Sequence, residues 1–286
     1  MNKQKFVSVV LATLGGEFLK LTLEHLNKSS IRPHEILICI PEPEMHMLDL
    51  VLPDNVRIIK SPKRGQVAQR AYGLGLVSCE YVMQIDDDVF LDSDGIERLI
   101  DALENVGHQC VVSPLFKDCL SGEYLTRYHN NLKGILKSLL STLIGGASWG
   151  QQRMGRIDKA GIAYSVDRSH CVKDSPVLVE WIPGGCALTR RADLVVDDYF
   201  PFKGKAYCED LIHSLLWRQR GVRLYTIPSV AVCTHLYTSP LLPDEIRAGF
   251  EARKYVVSMM AGSFFRCRLW YIWTLFREKI RSNLKQ

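Results

Sequence analysis

An α/β fold, with a mostly parallel sheet covered by helices on both faces and a helical tail behind it, is what this 286-residue sequence predicts. Three observations carry that expectation. Continuous apolar runs alternate with stretches of helical periodicity up to Ser113, one of those runs ends directly in Asp86-Asp87-Asp88, and the basic charge is gathered at the C-terminal end. The composition, 47% hydrophobic and 23% charged, is that of a globular protein large enough for one sizeable α/β domain or two small ones.

Phe6 to Thr13 is an unbroken apolar run ending near Gly15 and Gly16, as a strand buried on both faces would. Glu17 to Asn27 follows with Phe18, Leu21, Leu23 and Leu26 at helical spacing. Glu35 to Ile40 reads as a second strand stopped by Pro41-Glu42-Pro43, Val56 to Ile59 as a third, and Gly65 to Val77 as a helix. Tyr81 to Ile85 is the strand that meets the aspartates. Helix Gly95 to Val106, capped by Asp92 or Ser93, and strand Gln109 to Ser113 complete the alternation.

Beyond Phe116 the pattern weakens. Leu132 to Ile144 is amphipathic, with Lys133 and Lys137 on one side, and reads first as a surface helix packed on the sheet and second as an element touching lipid or acceptor. Gly150 to Ser175 is polar and loop-like, and loops of that length in compact domains are usually functional or mobile. Val177 to Trp181 reads as a strand leading into Gly184-Gly185, where the missing side chains let backbone approach a ligand or simply make a tight turn. Glu209 and Asp210 open helix Leu211 to Arg220, a position favoured by the helix dipole alone. Strand Val222 to Ile227 stops at Pro228, and Val230 to Cys233 delivers His235.

Three adjacent carboxylates after a buried strand must be neutralised by a cation, a basic side chain or water. Strand alternation puts Asp86 and Asp88 on one face and Asp87 on the other. Paired oxygen donors at a strand C-terminus suit magnesium or manganese completed by phosphate oxygens, and a solvated acidic turn explains them as well. Nine scattered cysteines with no C-x-x-C pattern fit reduced thiols, and the N-terminal apolar stretch reads as a strand and not a signal peptide, so the cytoplasm is the expected compartment.

In order, a buried first strand, an aspartate cluster, Gly-Gly after a Trp-containing segment, Glu-Asp opening a helix and then a histidine resemble the family-2 inverting glycosyltransferases of the GT-A fold. The resemblance covers about residues 5 to 240. It implies a glycosyltransferase domain over 1–240 and a basic helical tail over 241–286. It implies Ala12 and Thr13 at the nucleotide, Arg70 on the helix before the aspartates, Asp86 and Asp88 as the pair holding a divalent metal, His235 reaching that metal or the diphosphate, and Asp87 beside the donor. Gly184 and Gly185 would lie along donor and acceptor, with Asp210 as general base and Glu209 next to it. The donor would be a nucleoside-diphosphate sugar and the acceptor a glycan or a lipid-linked molecule. Glu42 stands where the family has an aspartate at the base, and Ala71 where asparagine often follows the arginine.

Two other functions compete. A metal-dependent nucleotidyltransferase would carry a basic Gly-rich loop after the first strand, where Leu14-Gly15-Gly16-Glu17 offers only an acid, and a non-catalytic nucleotide-sugar binding module would not need both acid sites. Residues 246–286 hold nine basic and two acidic side chains, a net +7, which leaves −2 on the rest and speaks against a nucleic-acid-binding body. Within Ser263 to Leu284, Phe265, Leu269, Ile272, Trp273, Phe276 and Ile280 form one stripe bordered by Arg266, Arg277 and Arg281 on one side and Arg268 and Lys279 on the other. That pattern suits peripheral contact with the cytoplasmic face of an anionic membrane, as in bacterial surface-polysaccharide assembly, or a helix packing its stripe on the domain.

Overall fold

The computed structural model describes residues 5–47, 51–172, 175–235 and 241–283. Its centre is a nine-stranded mixed sheet in the order β3-β2-β1-β4-β8-β6-β9-β5, with β7 paired to β9 beside that path. The strands are β1 (Val7–Ala12), β2 (Glu35–Pro41), β3 (Val56–Ser61), β4 (Tyr81–Ile85), β5 (Val89–Leu91), β6 (Cys110–Asp118), β7 (Val177–Val179), β8 (Cys186–Arg190) and β9 (Arg223–Thr234). The helices are α1 (Leu19–Asn27), α2 (Gln66–Leu74), α3 (Gly95–Val106), α4 (Leu132–Leu140), α5 (Glu209–Gln219), α6 (Pro243–Met259) and α7 (Phe264–Asn283).

Two faces are filled by alternate side chains of the same strands, as the two-residue period requires. Val9, Leu11, Ile38, Met83 and Leu188 pack on one face against Leu23 of α1 and Leu99 and Leu103 of α3. Val10, Cys39 and Val82 face Leu74 of α2 on the other. Farther along, Val111, Ala187 and Leu224 meet Trp217 of α5. Burying each such Leu, Ile or Val contributes about 1.5–3 kcal/mol.

The sheet is less uniformly parallel than the sequence suggests. β1, β2, β3 and β4 are parallel to one another, but β8 inserts antiparallel between β4 and β6, and β5 and β7 run antiparallel to β9. β8 is hard to see in the sequence because only Cys186-Ala187-Leu188 is apolar after a Gly-Gly turn. Pro228 does not end the last strand. β9 runs through it, and the pairing with β6 jumps from Pro114↔Ile227 to Leu115↔Ala231, a bulge that accommodates the residue without an N–H. Helix α3 begins after Asp94, not after Asp92 or Ser93, and no side chain caps it. The strand expected over Val177 to Trp181 is only Val177–Val179.

This topology gathers one edge. β1, β2, β4, β6 and β9 point the same way, so their C-termini lie together, and the antiparallel β8 brings its N-terminus there. Helix α5 precedes β9, so its N-terminus arrives at the same edge.

Candidate active site at the C-terminal edge of the sheet

The three aspartates do not continue the strand. Val89 N–H reaches back to Asp86 O at 3.4 Å, making a tight turn from β4 into β5 that sends the carboxylates in separate directions. Asp86 turns towards α2, where its Oδ1 accepts from Arg70 Nη2 at 2.9 Å and Gln66 Nε2 at 3.0 Å. Asp87 turns towards the end of β1, accepting from the Thr13 hydroxyl, while Thr22 Oγ1 donates to its carbonyl at 2.8 Å. A Cβ on Gly16 would stand 2.8 Å from Asp87 Oδ2, so that loop needs glycine for close approach. Asp88 lies within electrostatic reach of His235. Burial first, and then the charges of Asp86 and Asp87, raise its carboxyl to about 6.

Arg70 organises the centre. Only 2% of it is exposed, and its Nη1 donates to both oxygens of Glu209 at 3.1 Å while Nη2 holds Asp86. Burial disfavours its charge, and the carboxylates of Glu209 and Asp86 more than compensate, raising its pKa. Tyr199 donates a further hydrogen bond to Glu209 at 3.1 Å. Glu209 is therefore not a helix cap, because its oxygens are turned to Arg70 and Tyr199. The N-cap is Cys208, in the left-handed region at φ 58°, with no capping side chain.

Gly184 is pressed against this pair, for a Cβ there would sit 2.3 Å from Glu209 Oε1. Gly185 O accepts from Asp86 N–H at 2.9 Å, and a Cβ on Gly185 would meet Asp86 Oδ2 at 3.2 Å and the Phe116 ring at 3.3 Å. The glycines thus lock the start of β8 onto both acidic clusters. Asp210, next to Glu209, is partly buried, and its Oδ1 accepts from Leu211 N–H at 2.9 Å. Desolvation, followed by the Glu209 charge, lifts its carboxyl to about 7.

A cleft of about 680 Å³ opens between Ala12, Thr13 and Gly16, the start of α2 at Arg64 and Gln66, and Lys205, with Asp87 on its wall. That volume suits a nucleotide-sized ligand. Gln69 shapes it from behind, its Nε2 donating to the carbonyls of Thr13 and Cys39 at 2.8 Å each.

The structure brings together Ala12, Thr13, Arg70, Asp86, Asp87, Gly184, Gly185, Glu209 and Asp210 around this edge. It does not bring Glu42, which is exposed in the turn after β2 and ion-paired with Lys60. Nor does it assemble the expected metal set: among the described residues no three carboxylate, imidazole or thiol groups converge on a metal-sized site. The ring of His235 is stacked on Phe18 with centroids 4.4 Å apart, and the turn at Asp87 separates the carboxylates. Asp86 and Asp88 still fit a divalent ion that keeps most of its ligands as water and phosphate oxygen, because their packed negative charge is only partly answered by Arg70.

Gln66, Gln69, Phe18 and Tyr199 join the expected residues at this edge. Gln66, Gln69 and Arg70 share one face of α2 at positions i, i+3 and i+4, a polar face on an otherwise apolar helix that the sequence does display. Tyr199 carries no such signal.

Residues 42–160 match the model of the family described as Glycosyl transferase family 2. No curated protein matches the chain. Among solved structures, the chain is similar to GalNAc-T7 crystallised with UDP, GalNAc and Mn2+ (TM-score 0.62, 14% identity, 90% of this chain and 48% of that chain). It is also similar to S. aureus TarS 1-349 (TM-score 0.53, 12% identity, 88% of this chain and 65% of that chain). The chain thus spans about half the length of the first and about two thirds of the second. The family match covers residues 42–160, and the likeness to the solved structures is one of fold.

Proposed function

We propose that this chain is a family-2 glycosyltransferase that moves a sugar from a nucleoside-diphosphate sugar to an acceptor hydroxyl with inversion, using Asp210 as general base. The observation that carries the reading is Arg70, which joins the Asp86 turn to Glu209, the residue before Asp210, at the edge of the sheet where the cleft opens. A carboxyl raised to about 7 can take a proton near neutral pH. In a single displacement the acceptor oxygen attacks the anomeric carbon, its proton passes to Asp210, and the bond to the diphosphate breaks on the opposite face.

Thr13, Ala12 and the glycines at Gly184 and Gly185 would border the donor, and Asp87, hydrogen-bonded to Thr13, would shape the turn beneath it. Asp86 and Asp88, with His235 nearby, would hold a divalent cation, manganese or magnesium, whose chemistry is to offset negative charge on the leaving diphosphate. The neighbour GalNAc-T7 was crystallised with UDP and Mn2+, which supports this donor and metal class.

The acceptor half of the proposal is a glycan or lipid-linked molecule in polysaccharide or glycolipid assembly, met by a protein peripheral on the cytoplasmic face of a membrane. No helix among the described residues is long and apolar enough to cross one. Two helices turn apolar side chains outward instead. On α7 Phe265, Ile272 and Phe276 are 71%, 61% and 56% exposed, whereas the side facing the protein carries Cys267, Thr274 and Glu278. On α4 Leu132, Ile135, Leu136 and Leu139 are exposed and Ser138 is buried. The helix expected over 132–144 thus does not pack its apolar stripe on the sheet, and Lys133 and Lys137 are exposed as well.

The test is release of nucleoside diphosphate from a panel of sugar nucleotides, with manganese, with magnesium and with chelator, and with transfer followed by stereochemistry at the new bond. Metal-dependent release with an inverted product is expected. Pyrophosphate release from a nucleoside triphosphate and a sugar phosphate, with no turnover of any sugar nucleotide, would replace this reading with a nucleotidyltransferase.

A further inference from the structure

A second cavity, of about 270 Å³, lies away from the aspartate turn, between the first turns of α4 and the segment around Gly150. Arg127, His129, Lys133, Lys137 and Arg153 line it with Trp149, and none of its lining residues is acidic. Arg127 is paired with Glu123 at 3.4 Å.

Arg153 is the unusual member. It is 2% exposed, and no carboxylate stands within ion-pair distance of it among the described residues. Its guanidinium lies near the rings of Tyr128 and Tyr164, 5.2 and 5.0 Å from their centroids. Those rings favour the cation but accept no full hydrogen bond, and its Nε and Nη1 have no partner. A buried guanidinium without an anion is costly, and an arginine in this state is suited to an incoming phosphate.

The neck of the cavity is built for close packing. Gly134 has no room for a side chain, since a Cβ would lie 1.6 Å from His129 O, and its N–H is held by Asn131 Oδ1 at 3.0 Å. Directly beside it runs the outward apolar side of α4, with Ile135 forming part of the cavity wall and Leu132, Leu136 and Leu139 exposed.

We propose that this pocket takes the phosphate or diphosphate group of an amphiphilic, lipid-linked acceptor whose hydrocarbon lies along the exposed face of α4. A phosphate alone would explain the cations, but not an apolar wall continuous with an apolar helix face. The inference rests on the acceptor half of the function proposed above and adds the group by which that acceptor is recognised.

The test uses the full chain and three probes: inorganic pyrophosphate in the presence of saturating nucleoside diphosphate, phosphatidylcholine vesicles carrying phosphatidic acid, and phosphatidylcholine vesicles carrying phosphatidylserine at matched surface charge. Binding to the phosphatidic-acid vesicles should exceed binding to the phosphatidylserine vesicles by about tenfold, the weight of one good charge-assisted contact. Lys133→Ala with Lys137→Ala, and separately Arg153→Met, should each remove that preference while donor hydrolysis is unchanged. If Arg153→Met does not fold, the lysine pair alone decides. Equal binding to the two charged vesicles would overturn the proposal, because the surface would then read charge density only. Pyrophosphate binding without any phosphatidic-acid preference would overturn it too, leaving a site for a soluble anion. Absence of donor hydrolysis with the vesicle preference intact would sink the transferase reading and leave this site standing.

Discussion

Arg70 and Asp210 show how much a single side chain is asked to do at this edge of the sheet. Arg70→Met would leave Glu209 buried without its cation and Asp86 with only Gln66, a loss worth about 3–5 kcal/mol when one partner of a buried ion pair is removed. Urea denaturation measures it, and a change below about 1 kcal/mol would mean that water already satisfies Glu209. Asp210→Asn keeps the shape but cannot accept a proton, so turnover should fall by about two to four powers of ten with donor affinity nearly unchanged. With Asp210 as the proposed base, the wild-type rate should also decline as pH drops below about 7, because a base works only when deprotonated. The same raised pKa has a cost in stability. Its contribution is fully present below the ordinary value of 3.8 and is lost as pH rises through about 7, so Asp210→Asn should melt higher than wild type at pH 8, by about 2–4 °C for each kcal/mol relieved, and the two should converge in acid.

Among the elements, α7 has its stripe where helical spacing puts it. Its basic border is largely spoken for. Arg266 Nη1 donates to the carbonyls of Thr142, Leu143 and Ile144, closing the turn that follows α4, and Arg277 and Arg281 bracket the buried Glu278 at 2.8 and 3.2 Å. Arg268 remains exposed on the surface. Membrane attachment through α7 should therefore depend on apolar insertion more than on charge. Phe265→Glu with Phe276→Glu should abolish sedimentation with anionic liposomes, and raised salt should weaken wild-type binding only in part. Salt alone releasing the protein fully would reverse that ranking.

For the whole molecule, α6 packs on the elements that precede residue 240. Val256 of α6 completes a cluster with Ile157, Trp181, Leu211 and Ile212, and Met259 and Met260 pack against it. Arg253 is also tied in, donating to Gly161 O and lying over the Trp270 ring at 4.0 Å. A chain ending near Gly249 would cut α6 and open that cluster to water, so it should lose cooperative unfolding, and calorimetry of the full chain should give one transition. Two separated transitions would mean that the tail folds apart from the sheet.

The sequence by itself determined the β/α alternation up to Ser113, the end of a strand at Asp86, and the acidic start of α5, because apolar periodicity and charge placement are local properties that burial enforces residue by residue. It also displayed the apolar stripes of α4 and α7. What only the tertiary structure decided was what each group faces. Arg70 meets Glu209 across 139 positions of chain, β8 enters the sheet antiparallel, and Glu42 stays with Lys60 outside the cleft. The two stripes point outward although helical spacing is the same for a core-facing and a lipid-facing side. Periodicity specifies that a helix has two unlike faces, and only the packing of the rest of the chain settles which of them is turned to the protein.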